Sequence, residues 1–325
     1  MLDACVVGVD LGGTHVRAGL LDQQGTILSW RETPIEARQG PQVGVERIAE
    51  LIEHVLEQAP SARLIGIGVG STGPIGREKG AIQNPYTLPG WEDVDILSPL
   101  RERFGVPLTL ENDADVAALG EFWKGAGQGV KRLAMVTVGT GIGWAFVYQG
   151  AIYRGLGGFH PEGGHHILDL HGPACYCGAH GCWESLASGP AMASRAREIA
   201  AKAELPSALL EKAGGDPQAI DARLVAELAQ KGDPLAERIV HQEGVYLGLG
   251  VVNIISFLLP DLILFGGGVM RMAELYLPTI REVVRTHSVV APATQVRIDV
   301  ASLGQKAGVI GAGYAIYQIL SERSV

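Results

Sequence analysis

The chain has few cysteines, no excess of positive charge and no long uninterrupted apolar run. Three of the four cysteines are clustered, so no framework of paired disulfides is present, which fits a reducing compartment. A formal net charge of −9 argues against non-specific binding to nucleic acid or anionic membranes. The basic segment that begins a secretory signal is also missing. We expect a cytoplasmic protein that binds neither nucleic acid nor membrane.

The most apolar stretch, residues 244–259, is too short for a membrane span, which needs about 20 residues. It also contains Asn253 and Ser256, so it predicts a buried helix. At 325 residues, with 47% hydrophobic residues, the chain can form two domains with well-buried cores. Cys5 lies in an apolar run and is interpreted as a core residue.

The strand and helix pattern repeats in the two halves of the chain. Each half opens with a predicted hairpin whose turn is rich in glycine and threonine, and continues with alternating strands and helices. This alternation indicates an α/β protein whose mixed or parallel sheets are covered by helices. The hinge between the halves is expected just after Asp113.

The clustered cysteines indicate a structural metal site. Cys175, Cys177 and Cys182 fall within eight residues, and His165 lies ten residues before the first of them. Three thiolates and one imidazole complete a tetrahedral zinc site, which then has no open position for substrate. The alternative is a group of buried thiols that only pack together.

The glycine-rich turns predict phosphate binding. Asp10-Leu-Gly-Gly-Thr14 joins strand to strand, and its glycines allow backbone N–H groups to converge on an anion. Asp10 is placed to reach a hydrated Mg²⁺. Alone, this motif could be a simple turn, but Thr137-Val-Gly-Thr-Gly141 repeats its chemistry in the second half. The glycines 266–268 follow an apolar strand and would let an adenosine lie against the backbone.

The segment Glu111-Asn112-Asp113 follows a predicted strand and precedes a helix. A carboxylate at such a junction can accept the proton of a substrate hydroxyl during phosphoryl transfer. Asn112 could bond a sugar hydroxyl. The competing interpretation is that Asp113 is only the N-cap of the helix.

These motifs, in this order, resemble the ROK family (repressors, open reading frames, kinases), and in particular its sugar kinases, over nearly the whole chain. The residues that carry the resemblance are Asp10-Leu-Gly-Gly-Thr14, Glu111-Asn-Asp-Ala114, Thr137-Val-Gly-Thr-Gly141, Glu162-Gly-Gly-His165, Cys175-Tyr-Cys177 and Cys182-Trp-Glu184. The resemblance implies a two-domain, actin-like (ribonuclease H-like) α/β fold with ATP and sugar in an interdomain cleft and a structural zinc loop. The domains implied are residues 1–115 with 305–325, and residues 116–304.

The resemblance also implies roles for single residues. Asp113 is the expected catalytic base, and His165 is expected to serve both zinc and sugar, one ring nitrogen for each. The sugar-binding set is Gly73, Asn84, Asn112, Asp113, Glu162, His165 and Glu184. The ATP-binding set is Asp10, Gly12, Gly13, Thr14, Thr137, Gly139, Thr140, Gly141, Gly266, Gly267 and Gly268. The zinc ligands are His165, Cys175, Cys177 and Cys182.

The implied activity is ATP-dependent phosphorylation of a hexose, D-glucose at its 6-hydroxyl being the first expectation. His160-Pro161-Glu162 is similar to the fructokinases of the family, so fructose, N-acetylmannosamine and N-acetylglucosamine remain open. The alternatives from other classes are a sugar-responsive repressor or sensor and a non-catalytic, actin-like ATPase. Resemblance further suggests a homodimer or homotetramer.

Overall fold

The computed structural model describes residues 4–76, 80–84, 87–202, 207–289 and 292–322. Strands and helices alternate along these residues, as the sequence predicts. Within the described ranges, no helix is long and apolar enough to cross a membrane. The apolar stretch 244–259 is instead the end of a 25-residue helix, Pro234–Leu258, which is buried along one side.

The chain divides into two compact units. The first contains residues 1–131, 146–160 and 302–325, and the second contains residues 132–145 and 161–301. The domain boundary expected between residues 115 and 116 falls inside one helix, Asp113–Lys124. That whole helix belongs to the first unit because it packs along the last helix, Ala307–Glu322.

The first unit is built on a five-stranded sheet of order β3-β2-β1-β4-β8. β1 pairs antiparallel with β2 and parallel with β4, so a hairpin and a parallel crossover meet at the central strand. A smaller antiparallel sheet of order β5-β6-β7 accompanies it. The strands are β1 Ala4–Leu11, β2 His15–Leu21, β3 Ile27–Pro34, β4 Arg63–Ser71, β5 Ile75–Gly76, β6 Ala81–Ile82, β7 Val94–Asp95 and β8 Leu108–Asn112.

Helices cover both faces of this sheet, because its strands are apolar on both sides. The predicted apolar face of the first helix, including Ile48, Ile52 and Val55, is buried. A Cβ at Gly68 would lie 1.9 Å from the carbonyl oxygen of Ala312, so the last helix rests directly on the sheet. The helices of this unit are α1 Pro41–Glu57, α2 Leu97–Phe104, α3 Asp113–Lys124 and the C-terminal Ala307–Glu322.

The second five-stranded sheet has the order β11-β10-β9-β12-β13. Taken in chain order, its strands are arranged as in the first sheet, so the predicted duplication is confirmed. β12 pairs parallel with both β9 and β13, and all five of its residues are buried. The strands are β9 Arg132–Val138, β10 Ile142–Tyr148, β11 Ala151–Ile152, β12 Leu262–Gly266 and β13 Arg297–Val300.

The helices of the second unit come after the predicted zinc-binding cysteines in the chain and lie between β11 and β13. The longest begins after Asp233, whose carboxylate accepts a hydrogen bond from the N–H of Ala236 and so caps it. The helices are α4 Trp183–Ala187, α5 Gly189–Lys202, α6 Leu209–Lys212, α7 Ala222–Ala229, α8 Pro234–Leu258 and α9 Leu277–His287, which leaves Ala307–Glu322 as α10.

Candidate functional site

The first glycine turn joins β1 to β2. Gly12 closes it by donating its N–H to the carbonyl oxygen of His15 at 3.0 Å. A Cβ at Gly13 would lie 2.8 Å from the carbonyl oxygen of Thr87, so this position needs glycine for a close approach of two backbones. Thr14 is exposed at the tip. The turn therefore presents small, accessible residues to a ligand, as a phosphate loop requires.

Asp10 lies at the end of β1 beside this turn. Its Oδ2 lies 3.4 Å from Nη1 of Arg17, which also pairs with Glu32 at 3.1 Å. Burial raises the pKa of Asp10, and the positive charge of Arg17 opposes this rise. A Cβ at Gly308 would lie 2.6 Å from Cγ of Asp10, so α10 also approaches this carboxylate closely. An added cation would favour the charged form of Asp10, which fits the predicted Mg²⁺ site.

Asn112 and Asp113 lie where β8 ends and α3 begins. The N-cap of α3 is Asn112, whose Oδ1 accepts the N–H of Ala114 at 2.8 Å. Oδ1 of Asp113 accepts the same N–H at 2.8 Å. The oxygen of the Asn112 amide and one oxygen of the Asp113 carboxylate therefore share the N–H of Ala114.

The side chain of Asp113 reaches solvent, although protein atoms surround it on most sides. Burial raises the pKa of Asp113 to about 7, with a further contribution from the negative charge of Asp10. The hydrogen bond from Ala114 and the charge of His160 act in the opposite direction. A carboxylate with a pKa near the working pH is a stronger proton acceptor than an ordinary aspartate.

Gly73 lies beside Asn112, and Asn84 belongs to the same unit. A Cβ at Gly73 would lie 2.5 Å from Nδ2 of Asn112, so glycine leaves room for this amide. Asn84 is 1% exposed and donates to the hydroxyls of Thr87 at 2.6 Å and Thr72 at 3.2 Å. Asn84 is thus bonded to Thr72, the residue that precedes Gly73 in the chain.

Four titratable residues lie beside Asp113, and two of them, Asp115 and Arg154, belong to none of the sequence motifs. Glu111 and Asp115 flank it in the chain and are 2% and 1% exposed. Arg154 and His160, which follow β11, bind these two carboxylates. The spacing of Glu111, Asp113 and Asp115 was visible in the sequence, but their cationic partners lie about 40 residues away in the chain.

The second glycine turn, residues 139–141, joins β9 to β10 in the second unit. The carbonyl oxygen of Gly139 accepts the N–H of Gly189, the first residue of α5, at 2.8 Å. A Cβ at Gly141 would lie 2.3 Å from Oε2 of Glu184, and the same Oε2 accepts the N–H of Ile142 at 2.8 Å. One oxygen of a predicted sugar ligand is therefore fixed to the second phosphate turn. Thr137, the residue before the last in β9, is half-buried, and Thr140 is exposed.

Gly266 is the last residue of β12, and Gly267 and Gly268 follow it next to this turn. Gly267 has φ +91°, and a Cβ there would lie 2.3 Å from the carbonyl oxygen of Val138. Gly266 pairs with Thr137 across the sheet. The adenosine segment expected from the sequence and the second phosphate turn are therefore neighbours within one unit.

The four predicted zinc ligands converge. Their ligand atoms all lie within 4.8 Å of one another, with Cys177 Sγ and Cys182 Sγ 3.6 Å apart and Cys175 Sγ 3.5 Å from His165 Nδ1. A tetrahedral site with Zn–S bonds of about 2.3 Å places its sulfurs roughly 3.8 Å apart, so the donor set and its spacing fit zinc. None of the four cysteines, all of which lie in the described residues, forms a disulfide bond.

The loop that carries these cysteines reverses at Gly178 and Gly181. Both have positive φ, at +93° and +65°, and a Cβ at Gly181 would lie 1.5 Å from the carbonyl oxygen of Asp169. Isolated bridges pair Ile167 with Cys182 and Ala174 with His180, and they fasten the loop. Its shape is thus set by the backbone as well as by the ligands.

Three predicted sugar ligands surround Tyr176 in the second unit. The hydroxyl of Tyr176 lies 3.1 Å from Nε2 of His165, the ring nitrogen that faces away from the thiols. Burial raises the pKa of Tyr176, as do its hydrogen bond with Glu184 and the charges of Glu184 and Glu162. His165 therefore turns Nδ1 to the thiol of Cys175 and Nε2 to the hydroxyl of Tyr176. Tyr176 itself was not singled out from the sequence.

The arrangement corresponds to that of known proteins. A sequence model of the ROK family matches residues 6–318. A glucokinase of Halalkalibacterium halodurans is 34% identical over 323 residues, which cover 98% of this chain and 96% of that protein. The crystal structure of a ROK hexokinase from Thermus thermophilus is 34% identical, with a TM-score of 0.82 and coverage of 98% of this chain and 99% of that one.

A ROK family glucokinase from Streptomyces griseus, solved in complex with glucose and AMPPNP, is 30% identical with a TM-score of 0.79. The match covers 97% of this chain and 99% of that chain. Family model, sequence and fold therefore agree over nearly the full length. The chain belongs to the ROK family.

Proposed function

We propose that this protein is an ATP-dependent hexose kinase that phosphorylates D-glucose to glucose 6-phosphate. The observation that carries the proposal is the junction of β8 and α3, where the carboxylate of Asp113 and the amide of Asn112 stand side by side and both accept the N–H of Ala114. Similarity to glucokinases over nearly the full chain supports glucose as the acceptor.

Asp113 is the proposed catalytic base. The 6-oxygen of the sugar attacks the γ-phosphorus of ATP, the bond from that phosphorus to the β–γ bridging oxygen breaks, and ADP leaves. The hydroxyl proton passes to Oδ2 of Asp113. Because the cap at Ala114 fixes Oδ1, the carboxylate is already oriented when the sugar binds.

The proposed sugar ligands form two groups. In the first unit, Asn112 and Asn84 present amides next to Gly73. In the second unit, the hydroxyl of Tyr176 lies near His165, Glu184 and Glu162. We propose that a sugar hydroxyl binds to this group of polar side chains. Paired carboxylates and amides discriminate strongly among sugars, because each missing hydroxyl leaves a polar group without a partner.

The two glycine turns are proposed to hold the phosphates of ATP, and the glycines 266–268 its adenosine. Mg²⁺ beside Asp10 would neutralise charge on the phosphates. Zinc held by His165, Cys175, Cys177 and Cys182 would fix the loop and the ring orientation of His165, so that Nε2 points to the sugar. The chain itself prepares this orientation, since Nδ1 already faces the thiols.

The runner-up acceptors are fructose, N-acetylmannosamine and N-acetylglucosamine. The fructokinase-like His160 is the main reason to keep fructose. In the structure, however, Nδ1 of His160 lies 3.0 Å from Oδ1 of Asp115, and the side chain is only 12% exposed. A histidine engaged in this way supports the base-bearing helix and is no argument for fructose.

An assay of ADP release with a panel of hexoses and amino sugars tests the proposal. We expect the highest kcat/KM with D-glucose and formation of glucose 6-phosphate. The matched control is 6-deoxyglucose, which lacks the acceptor oxygen and should inhibit without turnover. Sugar binding with no phosphate transfer to any member of the panel would favour a repressor or sensor, and sugar-independent ATP hydrolysis would favour an actin-like ATPase.

The assembly is proposed to be a homodimer or homotetramer, on the strength of family resemblance alone. Sedimentation equilibrium of the purified protein gives the mass directly. A monomer at the concentrations of the kinase assay would contradict this part of the proposal without touching the reaction.

A further inference from the structure

Three carboxylates are crowded into five residues at the junction of β8 and α3. Asp113 reaches solvent, but Glu111 and Asp115 on either side of it are 2% and 1% exposed. Buried carboxylates need cationic or hydrogen-bonding partners, and like charges at this spacing repel one another. The junction can therefore hold its shape only if a cation offsets the two flanking charges.

Arg154 supplies that cation and touches both flanking carboxylates. Its Nη2 donates to Oε2 of Glu111 at 2.5 Å, and its Nη1 donates to Oδ2 of Asp115 at 3.2 Å. Glu111 belongs to the strand and Asp115 to the first turn of the helix. One planar guanidinium thus ties the two ends of the segment that presents Asp113, a geometry that a single ammonium group cannot reproduce.

His160 completes the arrangement from the same connection. Its Nδ1 lies 3.0 Å from Oδ1 of Asp115, so both oxygens of this carboxylate are engaged. Asp115 is therefore held from two sides, by Arg154 and by His160. All of these groups belong to the first unit.

We propose that Arg154 and His160 are positioning residues for the catalytic base, which fix the strand-to-helix turn so that Asp113 faces the sugar hydroxyl. This inference rests on the proposed kinase function. Neither residue touches the reacting atoms; they act through Glu111 and Asp115. The proposal assigns to the histidine of His160-Pro161-Glu162 a role in turnover instead of sugar selection.

Two conservative variants test the proposal against a matched control. Arg154→Lys keeps the charge but has one nitrogen for two carboxylates, and His160→Gln keeps a donor for Asp115. We expect Arg154→Lys to lower kcat about tenfold or more and His160→Gln by about threefold, with the KM for ATP changed less than about twofold. The ratio of glucose to fructose turnover should not change.

The control is Arg195→Lys in the second unit. Arg195 is 16% exposed, against 19% for Arg154, and pairs with the fully buried Glu243. It should lower the melting temperature about as much as Arg154→Lys and leave kcat within about twofold of the parent. A loss of kcat in both arginine variants would mean that general destabilisation, not positioning, explains the effect.

A double variant shows whether Arg154 acts through the base. In an Asp113→Asn background, adding Arg154→Lys should change the residual kcat by less than about twofold, because the group that it positions is already gone. Equal fold-losses in the two backgrounds, or folded Arg154→Lys and His160→Gln variants with parental kcat, would overturn the inference. If Arg154→Lys does not fold, the same double variant is made with His160→Gln.

The failure of this inference is distinct from that of the proposed function. If the parent protein phosphorylates no sugar, both the proposed function and this inference are wrong. If the parent is active and the Arg154 and His160 variants keep full kcat, only the inference is wrong.

Discussion

At the scale of single residues, Asp113 combines access to solvent with a densely surrounded position and a neighbouring carboxylate. These conditions raise its pKa to about 7, burial being the largest cause and the charge of Asp10 the next. Asn112 takes the capping role that the competing interpretation gave to Asp113, although both side chains accept the N–H of Ala114. The cap and the base are thus adjacent residues with separate tasks.

A pH profile checks the state of this carboxylate. Asp113 accepts a proton only in its charged form, and a raised pKa means that the charged form is lost as the pH falls through about 7. We therefore expect kcat/KM for glucose to rise about tenfold per pH unit below the pKa and to level off above it. A profile that is flat down to about pH 5 would mean an ordinary carboxyl pKa or a different base.

The residues proposed as ligands are suggested by the sequence because each lies in a short motif. Asn112 with Asp113, and His165 with the cysteines, are close in the chain and carry their chemistry in their spacing. Arg154 and Tyr176 could not be predicted in this way. The first is recognised only by the carboxylates that the fold brings to it, and the second only by its hydroxyl lying beside Nε2 of His165.

At the scale of elements, the zinc loop connects the metal ligands to the second phosphate turn. Cys182 is followed by α4, and Glu184 in its first turn reaches the N–H of Ile142. Any change in the loop is therefore passed to a predicted sugar ligand and to the turn after β9.

Removal of one thiol tests this connection. Cys175→Ser should lower the zinc content from about one ion per chain to near zero, since a hydroxyl is a poor zinc ligand. We expect the KM for glucose to rise more than the KM for ATP, because the loop carries sugar ligands. Cys5→Ser, at the buried thiol of β1, is the control and should keep the metal. Full zinc content in Cys175→Ser, measured by elemental analysis, would contradict the assignment.

Close packing of α10 gives a second prediction at this scale. A Cβ at Gly311 would lie 1.6 Å from the carbonyl oxygen of Val116, whereas one at Gly313 would meet only a methyl of Leu21 at 2.6 Å. Gly311→Ala should therefore lower the free energy of unfolding by about 1–3 kcal/mol or more, because backbone cannot yield as a side chain does. Gly313→Ala is the matched control. Equal unfolding midpoints in urea for the two variants would refute this account of the contact between α3 and α10.

Helix boundaries show where sequence patterns are weakest. The sequence pattern over residues 217–230 predicts one helix. The structure has a short 3-10 turn at Pro217–Ala219 and then α7, because Asp221 accepts the N–H of Leu224 and starts a new helix. The two capping residues, Asp216 and Asp221, are both visible in the sequence. Which of them begins the α-helix depends on the packing of α7 against α8.

At the scale of the whole molecule, the two sheets share one strand order, and each carries a glycine turn between its first two strands. The duplication could be predicted because hairpin, turn and parallel strand recur in the sequence. The boundary between the units could not, because it depends on α3 packing along α10, a contact between residues nearly 200 positions apart. Duplication gives two phosphate turns in one chain, while the acidic junction after β8 occurs in the first half only.

The measurement that tests the central claim most directly compares Asp113→Asn with the parent protein, in glucose-dependent ADP release and in ATP binding by calorimetry. Asparagine keeps the shape and the acceptor for Ala114 but cannot take the proton. The account predicts a loss of kcat of about 10²- to 10⁴-fold with ATP affinity within about threefold of the parent. Turnover of Asp113→Asn within about threefold of the parent would contradict the assignment of the base, and with it the proposed mechanism.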